Sequence, residues 1–105
     1  MINSIVANIS AGSNADIFND KEVNVAIKSI WIYNKSDSNE TTVTFMFKEP
    51  QDNIFLELLV KPKETVFIDS DLYVPIQNYM NVSTDVSDVN IVFSFIEDSR
   101  VNTIV

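Results

Sequence analysis

The sequence predicts an all-β chain that folds as a single-domain antiparallel β-sandwich of Greek-key or jelly-roll type. Three observations predict it. Four stretches, NVAIKSIWIY, TTVTFMFK, NIFLELLV and NIVFSFIE, alternate apolar and non-apolar side chains, the period at which an extended chain turns one side toward a core. Polar turns separate the strand-like runs at intervals of roughly 8–12 residues, the spacing of sandwiches and barrels. No segment carries the apolar stripe of an amphipathic helix, and 105 residues with 46% hydrophobic content can form one core without a metal or disulfide.

The elements follow in order. A first strand over residues 2–9 places Ile5, Ala7 and Ile9 on one face and Val6 on the other. Residues 10–22 carry Gly12, Asn14, Asp16, Asn19 and Asp20 around Ile17 and Phe18, a loop pinned to the core by its two apolar side chains. The longest strand covers residues 23–33. Val23, Val25, Ile27, Trp31 and Tyr33 share its core face, interrupted at Ser29, while Ala26, Ile30 and Ile32 make the other face apolar too. After the polar connection NKSDSNET, Val43, Phe45 and Phe47 face one way and Thr42, Thr44 and Lys48 the other. EPQDN is the next turn. Ile54, Leu56, Leu58 and Val60 then share a face, with Phe55 and Leu59 crowding the opposite one around Glu57.

KPKE reverses the chain into a short strand at residues 66–68, in which Phe67 lies between Val66 and Ile68. The DSDLYVPIQN segment with Pro75 reads as an edge or a crossover, because proline cannot donate to a ladder. Residues 79–83 re-enter a sheet and 84–88 turn. In the last strand Val89, Ile91, Phe93 and Phe95 alternate with Asn90, Val92, Ser94 and Ile96. With one glycine in the chain, turns that need positive φ fall to Asn and Asp, which tolerate the left-handed region best.

Composition removes most chemistry. There is no histidine or cysteine, so imidazole bases, catalytic triads, histidine metal sites and disulfides are excluded. A single glycine excludes the glycine-rich phosphate loops. Seven basic against fifteen acidic residues, net −8, repel phosphate backbones and anionic membrane surfaces. A protein partner is expected, with no nucleic acid, membrane, cofactor or metal. The N-terminal MINSIVANIS lacks a basic region and a long apolar core, so a signal peptide is not expected and synthesis in a cytoplasm is.

Several constellations have two readings. Asp69 and Asp71 lie on one side of an extended segment, and Glu97 precedes Asp98; such carboxylates could serve as the acid and base of a glycoside hydrolase, or simply be solvated turns. Asp16, Asp20 and Glu22 offer hard oxygen ligands, yet no EF-type loop accompanies them. No catalytic or metal-binding residue is therefore assigned. Tyr73 and Tyr79 flank the irregular Pro75 segment and are weak candidates for stacking on a sugar, whereas Trp31 and Tyr33 are assigned to the core.

What remains is surplus apolar surface. Ile30, Ile32, Phe55 and Leu59 lie opposite faces that already supply a core, and SRVNTIV at the C-terminus brings Val101, Ile104 and Val105. Two readings fit: cover by the loop around Ile17 and Phe18 and by the termini, or contact with another subunit, with residues 1–10 and 99–105 as assembly arms.

The succession AIKSIWIYNKSDSNETTVTFMFKE, IFLELLVKPKETVFIDSDLYV and NYMNVSTDVSDVNIVFSFIED resembles the small β-sandwich virion proteins of tailed bacteriophages, of neck, tail-adaptor or decoration type. The matching elements are a strand ending in Asn34 before a polar hairpin, a turn at Pro62 to Thr65 before an apolar strand, and a last hairpin ending at Phe95, Ile96 and Glu97. Where the family usually carries a glycine-aspartate, this chain reads Gln77 and Asn78. The resemblance implies a non-enzymatic, multi-copy structural subunit that contacts itself and other virion proteins in a ring, sleeve or capsid projection. A carbohydrate- or receptor-binding sandwich is the alternative.

Overall fold

The computed structural model describes residues 2–49, 51–75 and 78–98, which contain strands, turns and no helix. The strands are β1 (Asn3–Ile9), β2 (Asn14–Ile17), β3 (Asn24–Asn34), β4 (Thr41–Phe47), β5 (Asn53–Val60), β6 (Thr65–Val74), β7 (Met80–Thr84) and β8 (Val89–Asp98). They form two four-stranded antiparallel sheets, ordered β1-β8-β3-β6 and β2-β7-β4-β5. Pairing follows one rule: β4 with β5, β3 with β6, β2 with β7 and β1 with β8. The chain is thus one long antiparallel ribbon, bent at the β4–β5 turn and rolled until β8 meets β3 and β7 meets β4. That is the jelly-roll form of the predicted sandwich.

The core lies between the two inner faces. Phe45 from one sheet meets Phe93 from the other edge-on at 6.4 Å, and Val25, Ile27, Val43, Val60, Val82 and Ile91 close around them. Ile17 and Phe18 are buried as expected, although the segment before them is not a loop. The run NADI pairs with β7 as β2, with Ala15 and Ile17 turned inward and Asn14 and Asp16 outward. Four residues are too few for the alternation to stand out from the polar turns around them. Phe18 itself takes a left-handed φ of 66°, which costs a non-glycine residue about 1–2 kcal/mol. Its ring packs edge-on against Phe93 and Phe95, and burying a phenylalanine returns about 1.5–3 kcal/mol.

Two irregularities correct the expected faces. In β3, Ile27 is opposite Phe95 and Ser29 is opposite Ser94, so Lys28 is an extra residue relative to β8. A bulge of one residue exchanges the two faces beyond it. Ile30 and Ile32 therefore point inward, 2% and 0% exposed, and Trp31 and Tyr33 point outward. The proposed interface role of Ile30 and Ile32 and the core role of Trp31 are both overturned. In β5, Leu56 is opposite Phe45 and Ile54 opposite Met46, leaving Phe55 as the extra residue. Its ring stacks on Phe47 at 4.6 Å and packs, partly buried, against the core, while Ile54 is 53% exposed. Leu59 does lie on the outer side, 60% exposed. The segment expected to be an edge or a crossover is an edge strand up to Val74, and the next strand, β7, belongs to the second sheet. Residues 66–68 are not a separate short strand but part of this one, β6, and Pro75 follows its last residue.

Candidate assembly surface

The register of the β1-β8-β3-β6 sheet builds an outer face in rows. Val6, Val92, Trp31 and Phe67 are direct cross-strand neighbours in that order, one from each strand. Val6 is 60%, Trp31 46% and Phe67 50% exposed. Trp31 and Phe67 touch with ring centroids 4.5 Å apart and planes inclined by 56°, a cross-strand aromatic pair of the kind that stabilises an antiparallel ladder. Polar rows flank this apolar one: Ser4, Ser94, Ser29 and Asp69 on one side, and Asn8, Asn90, Tyr33 and Thr65 on the other. An apolar strip rimmed by polar residues is the surface pattern of a protein contact or ligand groove.

The outer face of the second sheet is different. Across it run Asn14, Ser83, Thr44 and Glu57 in one row and Asp16, Asn81, Met46 and Ile54 in the next. Its polar groups satisfy one another. Asn81 Nδ2 donates to Asn14 Oδ1 at 3.0 Å and to Asp16 Oδ1 at 2.9 Å, and the Thr44 hydroxyl donates to Glu57. Leu59 and Ile54 lie along its β5 edge, apart from the apolar row of the first sheet.

The loop end of the sandwich is held by a polar network. Asn34, fully buried, donates from Nδ2 to the carbonyls of Asn39 and Val60 at 2.8 and 3.0 Å, and its Oδ1 accepts from Ser36 N. Its backbone bonds to Glu64 and Lys63. This one side chain joins the β3–β4 connection to the end of β5 and to the next turn. In that turn Lys63 takes a left-handed φ of 58° after Pro62, and Glu64 N donates to Lys61 O, so lysine fills a position glycine or asparagine usually takes. Nearby, the hydroxyls of Thr41 and Thr84 lie 2.6 Å apart. The Asp85 carboxylate accepts from Thr42 N, Val86 N and the Thr41 hydroxyl. The bond from Thr42 N does most to hold this carboxyl below the usual aspartate range. A depression of about 240 Å³ beside this network is lined by Ala11, Lys35, Ser36, Asn39, Val86, Ser87 and Asp88, smaller and more polar than a small-molecule site.

Two of the carboxylates noted in the sequence are held in ion pairs. Asp71 is ion-paired with Lys28 at 2.9 Å, and that hydrogen bond lowers its pKa. Glu97 pairs with Lys21 at 2.8 Å. Among the described residues no three acidic side chains converge on one point. Tyr73 is on the first sheet's outer face beside Ala26, while Tyr79 is half-buried in the connection before β7. The two tyrosines, weak candidates for stacking on a sugar, thus belong to different parts of the fold. Among the described residues, the ring pair with both members exposed is Trp31 with Phe67. Val101, Ile104 and Val105 lie outside the described residues.

The break in alternation at Ser29 was the one signal that could have found this surface. Reading it as an interruption keeps Trp31 inside, whereas reading it as a bulge puts Trp31 beside Phe67.

No protein-family model matches the chain, and no curated protein matches it in sequence. Solved structures do match in fold. The Drosophila NLP-core, described as giving insight into pentamer formation and histone binding, superposes with a TM-score of 0.61 at 17% identity, over 93% of this chain and 99% of its own. Bacillus endospore appendages, described as disulfide-linked pili, give 0.55 at 8% identity over 93% and 88%. PirA gives 0.50 at 10% identity over 87% and 92%. At these identities the likeness establishes the β-sandwich fold.

Proposed function

We propose that this chain is a non-enzymatic structural subunit that acts through oligomeric protein contacts, and that its assembly is a tailed-phage virion, as a component of the neck, the tail or a capsid-associated ring. The observation that carries the subunit reading is the exposed row Val6, Val92, Trp31 and Phe67. A monomer gains nothing by leaving two adjacent aromatic rings in water between polar rows, whereas a subunit gains a contact. Two fold neighbours support it, one described by pentamer formation and the other by pili. The chain has no cysteine, so its own contacts include no disulfide, unlike those named for the appendages. The virion placement rests on the order of strand and turn motifs, and residues 99–105 are proposed as an additional arm onto a neighbour. Synthesis in the host cytoplasm belongs to the same reading.

Mass spectrometry of purified particles tests the placement. The expected result is this chain in many copies per particle; its absence from particles would refute the virion role. The carbohydrate-binding alternative keeps one observation in its favour, the exposed Trp31–Phe67 pair between polar rows. A glycan array on which the chain binds, and Trp31→Ala does not, would favour it over the subunit reading.

A further inference from the structure

We infer that a second copy of this chain covers the apolar row, sheet face on sheet face, about a twofold axis running parallel to the strands between β8 and β3. The inference rests on the subunit reading above and specifies the partner and its register.

Charge selects the face. Two bodies of net charge −8 repel, and they approach most easily where few like charges are opposed. Of the twelve side chains in the apolar row and its two polar flanks, only Asp69 is charged. The neighbouring Asp71 is neutralised by Lys28. The second sheet instead turns Asp16 and Glu57 outward.

Size selects the axis. The row runs small, small, large, large: Val6, Val92, Trp31, Phe67. A twofold axis along the strands reverses the row on the facing copy, setting Val6 against the partner's Phe67 and Val92 against the partner's Trp31. Each ring then meets a valine, as close packing requires, and each contact occurs twice, as an isologous interface requires. A twofold axis along the row would oppose ring to ring and valine to valine, leaving a gap at one end and a clash at the other. The same reversal places Asp69 over the partner's Ser4 and not over a second aspartate.

Area permits it. Four strands spaced about 4.8 Å, seven, ten, eleven and ten residues long at about 3.4 Å each, give a flat footprint on the order of 600 Å² per copy. Two such faces reach the lower limit of specific interfaces, about 1,200 Å² in total.

The absence of cysteine gives a clean test. Under this axis exposed Asn8 faces the partner's Thr65, across sheets about 10 Å apart. Full-length Asn8→Cys and Thr65→Cys, mixed and treated with a thiol cross-linker of about that span, should yield a covalent heterodimer several-fold above the product of either variant alone. Ser4→Cys with Asp69→Cys reads the same register from the other flank and covers the case that one variant fails to fold. Equal linking within the single variants, linking of Asn8→Cys to Ser4→Cys instead, or a chain that stays monomeric while a different protein or a glycan occupies the face would overturn the inference. A protein found in particles but without this cross-link refutes the pairing alone; one absent from particles refutes the virion role.

Discussion

Insertion of one alanine between Ser29 and Ile30 is expected to destabilise the protein by about 3–6 kcal/mol, enough to unfold much of it. Lys28 is the extra residue that sets β3 out of step with β8. With a second extra residue the strand beyond Ser29 must expose Ile30 and Ile32 and drive Trp31 and Tyr33 into a core already filled by Phe45 and Phe93, or else lose its pairing with both β6 and β8. Each isoleucine returned to water costs about 1.5–3 kcal/mol, before any overpacking by the indole. Lys28→Ala keeps the backbone count and removes only an exposed ion pair with Asp71, so it should leave stability nearly unchanged. Chemical denaturation of the two variants separates register from charge: similar curves for both would show that the register of β3 does not determine its faces.

Asn34→Ala is expected to cost about 2–4 kcal/mol, a fall in melting temperature on the order of 10–20 °C for a domain of this size. The carbonyls of Asn39 and Val60 and the amide of Ser36 would all lose their partner where the side chain is fully buried, and an unsatisfied buried group costs about 1–3 kcal/mol. Asn34→Asp is expected to be no milder. A carboxylate has no N–H to offer the two carbonyls, and it would be buried without a cation. Thermal unfolding followed by circular dichroism measures both; a loss below about 1 kcal/mol would mean that water replaces the amide at little cost.

The jelly roll was legible where alternation was long and regular. β1, β4 and β8 keep strict period two, and their inward residues Ile9, Val43, Phe45, Ile91 and Phe93 are those the pattern selects. The faces of β3 beyond Lys28, and of Ile54 and Phe55 at the start of β5, were not legible, because one added residue inverts a parity rule without changing composition. Asn34 had shown itself only as the last residue of a strand; its role depends on Asn39, Val60 and Ser36 arriving from three connections. The candidate surface was half legible. Surplus apolar side chains were evident, but the register decides which of them face water, and it replaces Ile30 and Ile32 with Trp31, Phe67, Val6 and Val92.

The central claim is that this row holds subunits together. Sedimentation velocity of the full-length chain across the micromolar range, beside a Trp31→Ser, Phe67→Ser variant, tests it most directly. The native chain should show a concentration-dependent assembled species. The variant should remain folded and bind itself at least about 30-fold more weakly, the loss expected for an aromatic anchor. A native chain that is monomeric throughout, or a variant that assembles as the native chain does, would contradict it.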